Sequence, residues 1–376
     1  PMTAMVLGVA VLLRLGALPA PAFLSTDIYR YVWDGRVAAA GINPYRYVPN
    51  DPQLAALRDA AVYPRINRAN YAPTIYPPMA QMLFLLADRL GGTVATMKGV
   101  LVAAEAIAIA ALIFLLRRVG APPERILLYA WHPLPVWEIA GSGHVDAAAL
   151  MFTALALGAS VAGRRAASGA ALAGATLVKL LPVVVAPALW RPRPSNRGDW
   201  RWPVAFAVVA IALYLPYLGV GWRVLGFLPG YFTEERLGSG GGFWLLDALR
   251  RLLPVPTALY LGITLVLMAG LAVGALRRPD GPRASFAWAA VLATAALVFA
   301  SPHYPWYFVL LVGLLCIASW WPAWWLTLSA FLLYRNPATG HVPFGTGLVI
   351  YGGFAVLGCI DLALRTRLWR DRGANR

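Results

Sequence analysis

Long apolar stretches recur along the whole chain, separated by connections that carry most of its arginines. A helix needs about 20 apolar residues to cross the hydrocarbon core of a bilayer. The sequence offers the following candidate spans: residues 2–22, 94–116, 125–141, 145–163, 166–178, 180–190, 203–220, 256–276, 285–300, 304–319, 322–335 and 345–364. It therefore predicts an all-α integral membrane protein with about twelve transmembrane helices. Several are short, and the pair around Lys179 and Pro182 is expected to be broken or re-entrant.

Composition excludes a water-soluble protein. Of the 376 residues, 60% are hydrophobic and 13% are charged, whereas about 25% are charged in a typical soluble domain. The net charge of +16 comes from arginines scattered between apolar segments. Because they form no long basic face, we expect membrane lipids as partners and no nucleic acid. Cys316 and Cys359 lie in apolar stretches, so neither a disulfide framework nor a thiolate metal site is expected.

The arginines also predict the orientation of the chain, since short cytoplasmic connections carry an excess of Lys and Arg. With the N-terminus inside, the inner connections carry Arg117, Arg118, Arg125, Arg164, Arg165, Arg191, Arg193, Arg197, Arg201, Arg277, Arg278 and Arg283. Residues 1–376 then form one transmembrane domain with two long outer loops, residues 23–93 and 221–255. The first loop contradicts the charge rule because it carries several arginines. Its segments 27–40 and 76–90 have helical patterning and are expected to lie flat at the interface.

The densest polar cluster lies where the first span leaves the membrane. On a helix, Asp27, Tyr31 and Asp34 share one face. A carboxylate at the mouth of a membrane cavity can accept a proton from a sugar hydroxyl. The alternative is structural: an aspartate favoured by the dipole at a helix start, and Asp34 paired with Arg30.

Further candidates lie at the outer ends of later segments. Tyr76 enters a helix at the interface, and His144 and Asp146 at the next outer turn could orient a substrate, or could be structural. These two residues alone make an unlikely metal site, because no third ligand follows at regular spacing.

Two cationic or protonatable side chains point to an anion. Lys179, one of two lysines in the chain, stands among apolar neighbours and could bind a phosphate or simply extend to the interface. His303 could hydrogen-bond a phosphate oxygen, or it could belong to an aromatic belt.

Several of these segments together resemble a known family. TDIYRY at 26–31, WDGR at 33–36, GINPY at 41–45 and TIYPP at 74–78 resemble the bacterial family 87 glycosyltransferases. These belong to the GT-C superfamily, related in plan to the mannosyltransferases of phosphatidylinositol mannosides and GPI anchors. GHVD at 143–146, VKLLP at 178–182 and HYPWY at 303–307 match more loosely.

The resemblance implies a GT-C fold in a bacterial cytoplasmic membrane, with the active site facing the periplasm. It implies transfer of a hexose, mannose in the related enzymes, from a polyprenyl-phosphate donor to a lipid-linked or glycan acceptor with inversion. Asp27 matches the catalytic aspartate of the family. Lys179, His303 and Arg36 would bind the donor phosphate, and the substrate would contact Tyr31, Asp34, Tyr76, His144 and Asp146. No cofactor is required, although some GT-C enzymes use a divalent metal.

Two other classes of protein share parts of this pattern. A transporter or lipid flippase also has broken helices and buried charges, but it is expected to have paired interruptions in corresponding halves. The sequence shows no such pairing. A membrane scaffold without catalysis is the second alternative, since a fold alone does not prove chemistry.

Overall fold

The computed structural model describes residues 2–22, 25–190, 200–335 and 342–374. The chain is all-helical, with 75% helix and no strand in these residues, which confirms the predicted all-α class. Arg191, Arg193 and Arg197, which the sequence assigns to an inner connection, lie outside the described residues.

The α-helices of seven or more described residues are numbered here in chain order. They are α1 Met2–Ala17, α2 Asp27–Ala39, α3 Pro78–Arg89, α4 Val94–Arg118, α5 Asp146–Val161, α6 Arg165–Val178, α7 Arg201–Tyr214, α8 Leu228–Glu234, α9 Trp244–Arg250, α10 Thr257–Leu276, α11 Pro282–Ala300, α12 Val309–Ile317, α13 Trp321–Ser329 and α14 Gly353–Ala374. Shorter 3₁₀ and π-helical pieces connect them, among them Pro52–Leu57, Val136–Gly141, Leu181–Val185, Leu215–Leu225, Pro305–Phe308, Ala330–Arg335 and Leu348–Gly352.

Membrane-spanning character is evident in the long apolar helices. Within the described residues, 5 helical runs are long and apolar enough to cross a bilayer: Val94–Arg118, Arg201–Glu234, Thr257–Leu276, Pro282–Ala300 and Phe344–Thr366. Shorter apolar helices are Met2–Ala17, Asp146–Val161 and Pro305–Ile317. The chain is therefore a membrane protein, whereas the total of about twelve spans stays a prediction.

Proline divides several of the predicted spans. Residues 125–141 do not form one helix, contrary to the prediction, but a chain of short pieces that includes Pro133–Pro135 and the π-helical Val136–Gly141. A proline lacks the N–H that an α-helix interior needs. Residues 180–190 are broken as predicted, into Leu181–Val185 and Ala186–Leu189. The second outer loop, 221–255, is itself partly helical, because it contains α8 and α9.

The two helices predicted in the first outer loop both form. Helices α2 and α3 pack against each other along their lengths. A methyl group at Gly35 would overlap the backbone carbonyl of Phe84, so glycine at this position allows the two backbones to approach closely. Beside this contact, the ring of Tyr31 stacks on that of Phe84, with centroids 4.6 Å apart. Tyr31 of this pair also lines a cavity.

Consecutive helices α4, α5, α6 and α7 pack against one another in sequence order. Small residues fill these interfaces: Ala147, Ala148 and Ala154 on α5 are buried, and Gly169 on α6 lies against the backbone of Trp202 on α7. Small side chains let membrane helices approach closely, and close approach strengthens dispersion contacts. These four helices form the frame of the bundle, against which other segments pack.

Buried charges hold α1 against this frame. The Arg14 guanidinium lies 2.7 Å from Glu105 of α4, and the Tyr129 hydroxyl donates to the same carboxylate at 3.1 Å. Arg14 also donates to the carbonyl of Ala130. Just beyond α1, Lys98 donates to the carbonyls of Leu18 at 3.0 Å and Ala20 at 2.5 Å. Both cations are thereby satisfied in an apolar setting.

We expect Glu105→Leu to lower the free energy of unfolding by about 3–5 kcal/mol, because it leaves the buried guanidinium of Arg14 without its carboxylate. The double variant Arg14→Leu/Glu105→Leu should recover most of that loss. Titration with a denaturing detergent, followed by helix content, measures both. A double variant less stable than Glu105→Leu alone would contradict the assignment.

Candidate active site

A cavity of about 460 Å³ is lined mainly by residues of the segments 23–93 and 221–255. Its walls come from the start of α2, residues 67–77, the break after α6 at 178–181, the segment 214–231 and residues 304–307. The charged side chains of its described lining are Asp27, Arg30, Arg68 and Lys179. All four lie before residue 180, and the lining residues from 214 onward are tyrosine, tryptophan, phenylalanine, leucine and valine.

Asp27 is the first residue of α2, where the helix dipole favours a negative charge. Its backbone N–H donates to the Ser25 hydroxyl at 3.1 Å. The side-chain amide of Asn67 donates to Asp27 Oδ1 at 2.8 Å. The hydroxyl of Tyr76 also interacts with this carboxylate, and two neutral partners leave it acceptor capacity toward the cavity. Asn67 therefore positions Asp27, a role that no sequence pattern indicated.

Arg30 lies one helical turn after Asp27 and is buried. Its Nε is 2.9 Å from Asp34 Oδ1, and its Nη1 donates to the Ala72 carbonyl at 3.0 Å. The third nitrogen, Nη2, is buried and has no hydrogen-bond partner among the described residues. A buried donor left without a partner is costly. Arg30 as a residue also lines the cavity.

Asp34, predicted to contact substrate, lies behind this arginine. It is buried, and besides Arg30 it accepts a hydrogen bond from Gln81 at 3.3 Å. Because the two residues are one helical turn apart, the carboxylate lies next to the guanidinium of Arg30 and holds it in place. In the structure Asp34 orients Arg30 rather than lining the cavity.

Arg68 connects the two outer loops at the cavity. Its Nε lies 2.6 Å from Glu234 Oε2, and the Tyr71 hydroxyl donates to the other oxygen of Glu234 at 2.7 Å. Burial alone would lower the pKa of Arg68, but the contact with Glu234 outweighs it and raises the pKa. Arg68 has a positive φ of 55°, a conformation that is uncommon outside glycine. The fold thus holds this guanidinium at the cavity wall.

Lys179 follows the last turn of α6 and points into the same cavity. Its ammonium is 2.8 and 2.9 Å from the two carboxylate oxygens of Asp146, the first residue of α5. It also lies 4.0 Å from the centre of the Tyr307 ring. Two residues predicted separately, Lys179 and Asp146, are therefore one ion pair. The carboxylate offsets much of the lysine's charge.

Tyr31 and Tyr76 both line the cavity, as expected for substrate contacts. Their rings meet edge to face, with centroids 4.8 Å apart. Tyr304, Trp306 and Tyr307 form the opposite aromatic side. The resulting cleft has flat apolar faces around a small number of charged groups.

His144 lies one layer behind this aromatic side. Its Nδ1 is 2.7 Å from Glu138 Oε2, and its ring stacks on Trp306 at 4.1 Å. The Tyr334 hydroxyl donates to Glu138. His144 is thus placed to hold the cavity residue Trp306, and Glu138 is its charged partner.

Two residues predicted to bind phosphate are paired elsewhere. Arg36 lies 2.7 Å from Asp59 and donates to the Leu57 carbonyl at 3.0 Å. Burial tends to raise the pKa of Asp59, but backbone N–H donors and Arg36 lower it overall. His303 Nδ1 lies 2.9 Å from Glu235. Neither Arg36 nor His303 is part of the cavity's described lining.

Metal ligands do not gather in the described part of the chain: no group of three His, Cys, Asp or Glu side chains there could hold an ion. The charged chemistry of the cavity comes from one carboxylate and three basic side chains.

The apolar helices indicate a membrane protein, and the carboxylate and cations in an aromatic cleft are typical of an enzyme's active site. The model of the protein family described as alpha-(1->6)-mannopyranosyltransferase, N-terminal domain, matches residues 3–191. The chain therefore belongs to this mannosyltransferase family and is a glycosyltransferase. This confirms the predicted enzyme class over the transporter and scaffold alternatives. No curated protein and no solved structure matches the chain.

Proposed function

We propose that the cavity transfers a mannosyl group from a polyprenyl-phosphate donor to a hydroxyl of a lipid-linked or glycan acceptor. One observation carries the proposal: Asp27, Arg30, Arg68 and Lys179 face a single cavity that also has leucine walls. A sugar hydroxyl requires a base, a phosphate leaving group requires cations, and a lipid chain requires apolar surface.

The apolar edge of the cavity supports a lipid-linked donor. Leu180 and Leu225 line the cavity and are 47% and 43% exposed. Exposed leucines beside a polar cleft in a membrane protein offer an apolar path from the hydrocarbon region to the site. A polyprenyl chain can lie along this path while its phosphate reaches the guanidinium groups.

In the proposed reaction Asp27 accepts the proton of the acceptor hydroxyl as its oxygen attacks the anomeric carbon. The bond from that carbon to the phosphate oxygen breaks, and its electron pair leaves with the polyprenyl phosphate. Attack opposite the leaving group inverts a β-linked donor to an α-linked product. A second carboxylic acid, which glycosidases use to protonate the leaving group, is not needed because a phosphate departs as an anion.

Charge builds on the phosphate as the bond breaks. The unpartnered Nη2 of Arg30 and the guanidinium of Arg68 are the groups best placed to stabilise it. Lys179, tied to Asp146, contributes a weaker field from the other side. We therefore assign phosphate binding to Arg30, Arg68 and Lys179, and give Arg36 and His303 a role in holding the loops.

The wider architecture is part of the same proposal. We propose a GT-C fold with about twelve spans, in which residues 1–376 form one domain. Residues 23–93 are its active-site loop, because they contain Asp27. The positive-inside arginines favour a plasma membrane with the cavity on the periplasmic side. The proposed reaction requires no cofactor.

We expect Asp27→Asn to lower kcat for mannosyl transfer by about 100-fold to 10,000-fold, because the amide cannot accept the hydroxyl proton. Radiolabelled polyprenyl-phosphate-mannose and a bacterial lipid extract supply both substrates to the purified protein, and donor binding should persist. Asp247→Asn, which removes a carboxylate from an exposed pair with Arg251, is the matched control. Equal transfer by Asp27→Asn and wild type would refute the mechanism.

A second prediction separates the two groups of arginines. Arg68→Gln should lower kcat/KM for the donor by about 10-fold to 100-fold, a change that corresponds to the free energy of one charge-assisted hydrogen bond. Arg36→Gln should change it by less than about fivefold, since its pair with Asp59 is partly exposed.

Glu234→Gln controls for the contact between the loops. It removes the ion pair with Arg68 but keeps the guanidinium at the cavity, so kcat/KM should stay within about fivefold of wild type. A loss in Glu234→Gln equal to that in Arg68→Gln would show that Arg68 acts only by joining the loops.

A further inference from the structure

A second cavity, of about 930 Å³, opens at the other end of the helical bundle. It lies between the connection after α4, the first half of α11, the end of α12 and the middle of α14. Nothing in the proposed reaction uses it.

Helix α11 shows how far apart the two cavities are. It begins at Pro282, next to the second cavity, and ends at Ala300, shortly before the first cavity's Tyr304. Its 19 residues span about 28 Å at 1.5 Å per residue, close to the thickness of a bilayer's hydrocarbon core. The two cavities therefore open at opposite membrane surfaces, and the second is at the arginine-rich one.

The second cavity is positively charged. Arg125, Arg283 and Arg365 line it, together with one carboxylate, Asp361. Arg283 donates through Nε and Nη2 to the Val119 carbonyl, at 3.0 and 2.7 Å. A neutral carbonyl fixes this guanidinium at the rim without cancelling its charge.

The lone carboxylate is already occupied. Asp361 accepts hydrogen bonds from the indoles of Trp320 at 3.1 Å and Trp321 at 2.8 Å. Arg365 lies 2.9 Å from it, one turn further along α14. With these partners, Asp361 offsets one of the three arginines and leaves a net positive rim.

The inner walls are apolar, and three of the five apolar residues that α11 and α14 contribute to them are alanine or glycine. Ala287, Ala290 and Val291 come from α11, and Gly358 and Leu362 come from α14. Small side chains on facing helices leave a slot between them, and Trp320 at its mouth suits the headgroup level of a membrane. A basic rim above an apolar slot is complementary to an amphiphile with an anionic head.

We propose that this cavity binds an anionic phospholipid of the leaflet on the arginine-rich side. Its phosphate contacts Arg125 and Arg283, and an acyl chain fills the slot between α11 and α14. Basic pockets between membrane helices on the cytoplasmic side recognise such headgroups. The apolar slot favours a lipid over a soluble phosphate, which would leave those walls unfilled.

The test measures the dissociation constants of phosphatidylglycerol and phosphatidylcholine for the full chain in detergent, by native mass spectrometry. We expect wild type to prefer phosphatidylglycerol. Arg125→Gln/Arg283→Gln should weaken phosphatidylglycerol binding by about 25-fold, roughly fivefold for each arginine near the surface, and leave phosphatidylcholine binding unchanged. Arg125→Lys/Arg283→Lys keeps both charges and should keep most of the affinity, which separates lost binding from lost folding.

The matched control is Arg117→Gln/Arg164→Gln, which removes two exposed charges at the same end of the bundle, outside this cavity. It should bind phosphatidylglycerol like wild type. Equal weakening in both glutamine variants would overturn the proposal, since general surface charge would explain it. Competition by soluble glycerol phosphate as strong as that by phosphatidylglycerol would also overturn it, because the cavity would then bind phosphate without the lipid.

Discussion

A guanidinium or ammonium group inside an apolar chain must find an opposite charge or a set of carbonyl oxygens, because removing it from water alone costs several kcal/mol. The buried cations of this bundle meet that requirement with different partners. Arg14 has Glu105, Arg30 has Asp34, and Lys98 has the carbonyls that follow α1. The contacts of Arg14 and Lys98 join different segments and fix how these are placed, whereas the pair of Arg30 and Asp34 fixes a guanidinium on one helix.

The same requirement shapes the active-site cavity. Lys179 could stand at the break after α6 only because α5 begins beside it with Asp146. Arg68 similarly ties residues 67–77 to α8 through Glu234, and the Thr74 carbonyl accepts a backbone hydrogen bond from Phe227 at 3.0 Å. The two outer loops close over Asp27 through these contacts. Polar contacts hold the two loops around the cavity together, whereas the helices that carry the loops are held by side-chain packing.

Local patterns in the sequence were sufficient to predict some of these helices and contacts. The helices over Asp27–Ala39 and Pro78–Arg89 follow from periodicity, and the contact of Arg30 with Asp34 follows from their spacing of four residues. Helical position alone did not show that Arg30 and not Arg36 faces the cavity, since both lie on the same helix. That choice depends on what packs on each face of α2.

Contacts between residues far apart in the chain could not be predicted from the sequence. Arg68 and Glu234 are separated by 166 positions, and no periodicity links them. The predicted span 125–141 failed for a different reason, because hydropathy measures apolar content and not the hydrogen bonds that Pro133 and Pro135 remove. Lys179 and Asp146 were each identified as candidates, but their pairing required the relative position of two helices.

All the charged side chains in the described lining of the cavity come from one stretch of the chain, whereas aromatic residues come from both halves. Asp27, Arg30, Arg68 and Lys179 all fall within residues 3–191, which the family model matches, while the lining from residue 214 onward is apolar or aromatic. Mutations of the lining residues in the later half can therefore reshape the cleft without removing any of its charged side chains. Such a division lets the shape that meets a bound molecule be tuned separately from the charges that meet it.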